Sequence, residues 1–582
     1  MMLPLPCLAI PPSRQGTGAP ASNPFGMPAT KRGFTLRRSA VLLLVLSLSG
    51  LVAFAGPASS TIEVERTNEY VWTEEFFPSG DDTSLHADVF LPAWAEEGDK
   101  FPVIVSVGPY FATAISQVGP TLRFEDMFEE GRPFERGFAY VQVDSRGYGG
   151  SAGCYDMGGR GERMDVKAAV EWAASQPWST GRVGMWGKSY DAWTQVMALA
   201  EDPEGLGAAI IQAPLIGLYE GIYENGVGFQ TGWRNIGTSY LLYDAPPNDP
   251  FGSEPQELIN GAQFNPGCFA YISAMNQNHV ESAPYWRERD LKVPAADTDV
   301  PVFWTHGFFD QQTKANNFMP IWTELEGPTR AWFHQSDHAR GNEVKRVGRE
   351  GWMDEAMAFL EEHLMDAPAA DLPAVEVQDN EGSWRSEDAW PPADASLHRF
   401  PLLDGTYVDE SGNSAGSPND GLWTFTPPAP YDLRFSGAYE VAVDVDAQIP
   451  LANMVTLLYD VGPDGDATMI QRGAQLIDGS GPASFDSLPQ DWILREGHRL
   501  GLFVSASDST FFFPLHTQGN VTVKSGTWSV PFLRYERTPD LEGEAASPTT
   551  TRVFTVPVSS SLIESRTVEA SFPPAPEEPP AE

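Results

Sequence analysis

Cysteine is scarce in this chain, with three in 582 residues: Cys7, Cys154 and Cys268. There is no CxxC pair and no paired His/Cys spacing, so nothing in the sequence signals a metal, and no metal or cofactor is expected. Basic residues are also few, 37 Lys and Arg against 79 Asp and Glu, which leaves a formal charge of -42. Such a surface repels phosphate backbones and excludes nucleic acid as a partner. The carboxylates form no single block, and a solvated acidic surface suited to a salty or extracellular setting accounts for them. Histidine is rare as well, at nine residues. Internal repeats are absent.

Only the N-terminus has the makings of a targeting or membrane segment. Lys31, Arg32, Arg37 and Arg38 precede an apolar run from Ala40 that continues to Ala53-Phe54-Ala55, with small residues placed for cleavage before Gly56. At roughly 16 residues the run is short for a spanning helix, and polar Gly56 to Ser60 follow with no stop-transfer pattern. Residues 1–55 therefore read as a signal peptide, Met27 opens a more ordinary leader, and Arg37-Arg38 is a weak match to the twin-arginine route. The expectation is an exported protein, periplasmic or extracellular; the alternative is an uncleaved membrane anchor. With Cys7 in the leader, Cys154 and Cys268 are left as the single disulfide available to the mature chain.

Hydrophobic content of 42% with 17 Trp and 33 Phe can fill two or three cores, as a chain of this length requires. Residues 62–370 alternate between short apolar runs, such as Phe101 to Val107 and Phe138 to Val143, and helical runs such as Arg163 to Ala174; this is the texture of an α/β sheet. Between about 215 and 296 the rhythm loosens into a Gly-, Asn- and aromatic-rich insertion that reads as a helical cap. From 371 to 540, turns rich in Gly, Pro and Asp separate short strand-like runs, which predicts an all-β domain. Residues 559–582 end in PPAPEEPPAE, and their composition predicts disorder.

The chemistry centres on Gly187-Lys188-Ser189. An apolar strand, Arg182 to Trp186, runs into it, and a helix-forming run follows, so Ser189 falls on a sharp strand-to-helix turn. There a hydroxyl projects above the sheet edge, and the backbone N–H of Tyr190 at the helix start is placed to meet an oxyanion. Asp191 occupies the position where G-x-S-x-G calls for a small residue, so that simpler pattern fails. A nucleophilic serine needs a base and an orienting acid, which in an α/β-hydrolase follow it in the order acid, then histidine. Strand Pro301 to Trp304 leads into His306 and Asp310, and strand Arg330 to Phe333 leads into His334, Asp337 and His338. His306 precedes the acid and reads as a packed loop histidine, while His334 and His338 serve equally on chain order alone. Asp337 reads as a supporting carboxylate, and Trp172, Trp178 and Trp186 as core.

Upstream, Asp144-Ser145-Arg146-Gly147-Tyr148-Gly149-Gly150-Ser151-Ala152-Gly153 precedes Glu162 to Asp165, Glu171-Trp172, Gln176-Pro177-Trp178 and Gly181 to Gly184. With the serine turn these segments resemble the CocE/NonD hydrolases, which include cocaine-esterase-like enzymes, α-amino-acid ester hydrolases and S15-type X-Pro dipeptidyl-peptidases. The family pattern G-x-S-Y-x-G stands here as Gly187, Ser189, Tyr190 and, in place of the last glycine, Ala192. The resemblance implies an α/β-hydrolase domain with a helical cap, then an all-β jelly-roll domain with Ser383 to Pro392 at its entrance. It also implies Ser189 as nucleophile, Asp310 as acid, His338 rather than His334 as base, and the Tyr110 hydroxyl, in Gly108-Pro109-Tyr110, as second oxyanion donor beside Tyr190 N–H. Asp144, Arg146 and the glycines that follow would fix a loop through buried hydrogen bonds. A Cys154–Cys268 bond would tie that loop to the segment before the strand carrying Asp310.

The expected activity is cleavage of an acyl ester or amide through an acyl-enzyme, the partner being a small ester, amide or short peptide, with a homo-oligomer compatible. An X-Pro dipeptidyl-peptidase is the alternative, and it needs carboxylates near the cap for a substrate ammonium, for which Asp191, Glu220 and Glu224 are candidates. A non-catalytic surface- or carbohydrate-binding protein is the alternative of another class.

Overall fold

A computed structural model describes residues 62–111, 124–230, 266–315, 318–545 and 554–580. The expected signal peptide and the middle of the expected cap, 231–265, lie outside the described residues. Among the described residues no helix is long and apolar enough to cross a membrane.

The N-terminal half is built on an eleven-stranded mixed sheet. Its strands begin β1 (Ile62–Arg66), β2 (Tyr70–Pro78), β3 (Ser84–Pro92), β4 (Phe101–Gly108), β5 (Ala139–Asp144), β6 (Ser179–Lys188) and β7 (Leu206–Gln212), and continue with Val302–Gly307, Thr329–His334, Val375–Gln378 and Trp384–Glu387. β4 lies between β5 and β6 and is parallel to both. Every residue of β4, β5 and Val302–Gly307 is buried, as the uninterrupted apolar runs require of strands covered on both faces. β4 divides its side chains accordingly. Val103, Val105 and Val107 join the core beneath helices Arg160–Ser175 and Tyr190–Glu201, while Ile104 joins the opposite core with Trp186, Phe303 and helix Trp352–Met365.

The described part of the cap carries short helices at Leu218–Ile222, Pro266–Met275, Pro284–Glu288 and Lys292–Ala296. Cys268 at its edge is disulfide-bonded to Cys154, with Cα atoms 5.8 Å apart. The C-terminal domain is a sandwich of a seven-stranded and a five-stranded antiparallel sheet around its own core.

Two expected boundaries are corrected. The first sheet does not end at 370: Val375–Gln378 pairs parallel with Thr329–His334, and Trp384–Glu387 pairs antiparallel with Val375–Gln378. The change of texture after Pro373 marks the start of strands, but these two complete the first sheet. The tail 559–582 is ordered through 580 and is not a disordered segment. Ser559 caps helix Ser560–Arg566, the Phe572 ring meets Phe400 at 5.4 Å, and Glu577 pairs with Arg534. Composition counted its prolines and carboxylates, while a few spaced apolar anchors, Leu562, Ile563 and Phe572, hold it to the sandwich.

Candidate active site

Ser189 sits between β6 and helix Tyr190–Glu201 with φ 64° and ψ -119°. This left-handed conformation costs a non-glycine residue on the order of 1–3 kcal/mol and persists because its surroundings enforce it. Its N–H donates to Gln212 O on neighbouring β7 at 3.0 Å, and its carbonyl accepts from Ala192 and Trp193 N–H. Close packing makes glycine necessary on either side of the turn. A Cβ at Gly187 would lie 2.3 Å from Asp191 O, and one at Gly108 only 1.8 Å from Asp191 Oδ1. Asp191 therefore takes the place of a small residue because β4 ends in Gly108, which leaves room for the carboxylate. Ser189 remains partly exposed while Tyr190 and Asp191 are buried. The Tyr190 phenol donates to Glu162, whose carboxyl is pushed up to about 7 by burial. That anchor fixes the first residue of the helix, whose N–H is the expected oxyanion donor.

Asp310 and His338 meet above the same end of the sheet. His338 Nδ1 lies 2.7 Å from Asp310 Oδ2. Asp310 also accepts from Gln312 N–H at 2.7 Å, Thr313 N–H at 2.9 Å and the Thr313 hydroxyl at 2.8 Å. Burial opposes its charge, but His338 and His306 hold the carboxyl well below the usual range. Burial, assisted by Lys188, pulls His338 below 6.5 despite Asp310, so the imidazole is neutral at neutral pH. Lys188 itself is pushed down to about 8 by burial.

The other histidines separate by geometry. His334 is fully buried, accepts from Ser336 N–H at 3.3 Å, and is pushed down to about 3 by burial. His306 is buried behind the acid, its Nε2 3.5 Å from Asp310 Oδ2. Asp337 pairs with Arg346, which also donates to His338 O at 3.1 Å and so steadies the loop. Tyr110 follows β4, its ring 6.4 Å from that of Tyr190 in an edge-on contact. In the preceding loop Arg146 binds Asp165 and Asp81, whereas Asp144 pairs with His86.

Sequence reasoning missed the bracing of the acid loop by the sandwich. Gln471 donates to Phe308 O at 2.9 Å, and Phe309, next to Asp310, packs into the sandwich core. Gln335 in the histidine loop donates to Gln490 and to Asp491 O, each at 2.9 Å. Short, widely spaced partners of this kind leave no periodic trace.

Two of the three carboxylates considered for an ammonium are already occupied, since Lys292 pairs with Glu220 and Lys314 binds Glu224 at 2.7 Å. The third, Asp191, is fully buried under Gly108.

A strained serine turn at the parallel strand ends, with a buried Asp–His pair on later loops, defines a serine hydrolase of the α/β type. Residues 80–340 match the X-Pro dipeptidyl-peptidase (S15) family, and 368–477 match the X-Pro dipeptidyl-peptidase C-terminal non-catalytic domain. The catalytic half of this chain belongs to the S15 family. A putative Xaa-Pro dipeptidyl-peptidase of Streptomyces avermitilis is 24% identical over 543 residues, covering 80% of this chain and 76% of its own. In fold, the chain is similar to a CocE/NonD family hydrolase from Staphylococcus aureus (TM-score 0.64, 15% identity, 82% of this chain and 98% of that one). It is also similar to an α-amino-acid ester hydrolase (TM-score 0.61, 18% identity, 83% and 100%).

Proposed function

We propose that Ser189 is the nucleophile, His338 its general base and Asp310 the acid that orients the imidazole, and that the enzyme cleaves a compact acyl ester or amide. The observation that carries this reading is the 2.7 Å contact between His338 Nδ1 and Asp310 Oδ2, on loops that leave the same end of the parallel strands as the Ser189 turn. The bond holds the proton on Nδ1, leaving Nε2 to accept the Ser189 proton as Oγ attacks the carbonyl. The oxyanion is met by Tyr190 N–H and the Tyr110 hydroxyl, and the acyl-enzyme is then hydrolysed by water that gives its proton to His338. Nothing in these steps calls for a metal or cofactor.

Release of X-Pro dipeptides is the second reading, favoured by the family match of residues 80–340 and the name of the Streptomyces avermitilis relative. The lysine pairing of Glu220 and Glu224 weighs toward the ester or amide reading, because a peptidase clamp would have to draw on other carboxylates. Export of the mature chain, which fits its acidic surface and its disulfide, is part of the proposal. The test compares p-nitrophenyl butyrate with Gly-Pro-p-nitroanilide, using Ser189→Ala as control. Turnover of the ester alone supports an esterase or acylase, release from Gly-Pro supports the peptidase, and activity of either kind that survives in Ser189→Ala contradicts the assigned nucleophile.

A further inference from the structure

A second histidine–carboxylate cluster lies on the antiparallel side of the sheet, away from the residues proposed for catalysis. Glu74 on β2 is the register partner of Asp88 on β3, which is in turn the partner of Gln142 on β5. His86 and Asp144 stand two residues along from Asp88 and Gln142, on the same face. Three strands thus gather an imidazole and three carboxylates into a site where every member is at most 4% exposed.

The residue types are those of a coordination shell. His86 Nδ1 lies 2.8 Å from Asp144 Oδ2, the outer hydrogen bond that fixes the tautomer of a metal-bound histidine and turns its Nε2 toward the ion. Nε2 faces Glu74 Oε1 at 3.4 Å and Asp88 Oδ1 at 3.9 Å, and these three atoms all lie within 4.8 Å of one another. Donors bound at about 2.0–2.2 Å with tetrahedral angles are separated by roughly 3.3–3.6 Å, so Glu74 Oε1 stands at that spacing from Nε2 while Asp88 Oδ1 must close in by a few tenths of an ångström. Asp88 is oriented from outside by Trp72 Nε1 and Gln142 Nε2, each at 2.9 Å. Glu74 Oε2 is buried with no hydrogen-bond partner among the described residues, and such an orphaned oxygen calls for an explanation. Among the described residues neither Glu74 nor Asp88 pairs with Lys or Arg, and His86 is the basic side chain set against both.

We propose that Glu74, His86 and Asp88 bind one first-row transition dication, Zn2+ or Mn2+, with Asp144 orienting His86. One imidazole nitrogen with two carboxylates suits such an ion better than Mg2+ or Ca2+, which prefer oxygen alone. The ion would staple β2, β3 and β5 together and root the loop after β5, where Ser151 Oγ accepts from His86 N–H and Ser145 N–H donates to Gly108 O. Its place is structural, apart from the proposed acyl transfer.

The test is metal analysis of full-length protein expressed with added ZnCl2 and MnCl2 and purified without metal-affinity resin. Mass spectrometry of the folded protein, and 4-(2-pyridylazo)resorcinol after guanidine unfolding, should each find about one equivalent. Glu74→Gln and Asp88→Asn should each retain at least tenfold less, and Asp144→Asn should bind 10- to 100-fold more weakly, on the order known for such outer partners. Metal-free wild type after this loading overturns the proposal and leaves a charged His86 as the counter-ion. Metal retained undiminished in Glu74→Gln and Asp88→Asn overturns it as well. If either variant fails to fold, the wild-type metal content still decides.

Discussion

His338–Asp310 and His86–Asp144 are nearly the same object in two settings. Each histidine is buried and places Nδ1 against an aspartate Oδ2, at 2.7 Å and 2.8 Å respectively. Around His338, burial and nearby Lys188 outweigh one carboxylate, and the imidazole stays neutral. Around His86, with no ion bound, burial again opposes charge, but Asp144, Glu74 and Asp88 together draw the proton affinity well above 6.5. The dyad does not make a base; what faces Nε2 decides it. In the proposed mechanism His338 Nε2 is turned to Ser189, whereas His86 Nε2 faces two more carboxylates.

Changes at Ser189 and Asp310 should break this contrast most severely. Ser189→Ala should lower kcat by on the order of 10^6-fold, and Asp310→Asn, which disturbs the tautomer, by about 10^4-fold, both in steady-state assays of the best substrate. The same assays should find Tyr110→Phe reduced by about 10^2- to 10^3-fold in kcat with KM little changed; a change confined to KM would deny the phenol its oxyanion role.

A pH profile sharpens the comparison further. In the proposed role His338 must be unprotonated to act, and its affinity for a proton is lowered by burial and Lys188, with His306 adding and Asp310 opposing. The acid limb of kcat/KM should therefore fall at a pH below 6.5. A limb above 6.5 would mean that Asp310 dominates here as the carboxylates do at His86.

The smallest effect concerns the anchor under the nucleophile. The Glu162 carboxyl is raised from 4.5 to about 7 by burial, so its contribution is complete below pH 4.5 and is lost as pH rises through 7. Urea unfolding should show stability falling over that window in wild type and less so in Glu162→Gln.

Legibility in the sequence followed how local each feature is. The Ser189 turn could be read because strand, turn and helix are contiguous. Choosing between His334 and His338 needed the family resemblance, since chain order fits both; in the structure it is His338 whose ring reaches Asp310. The Glu74, His86 and Asp88 cluster left no spacing signal, because its members meet only through the register of separate strands. The bracing of Asp310 by the sandwich and the docking of the tail were equally hidden, as each depends on isolated side chains brought together from distant parts of the chain.

Labelling with a fluorophosphonate, followed by peptide mass spectrometry, tests the central claim most directly. The account predicts one modified residue, Ser189, with labelling abolished in Ser189→Ala and strongly slowed in His338→Ala. No labelling of folded wild type, or adduct on a different serine, would contradict it.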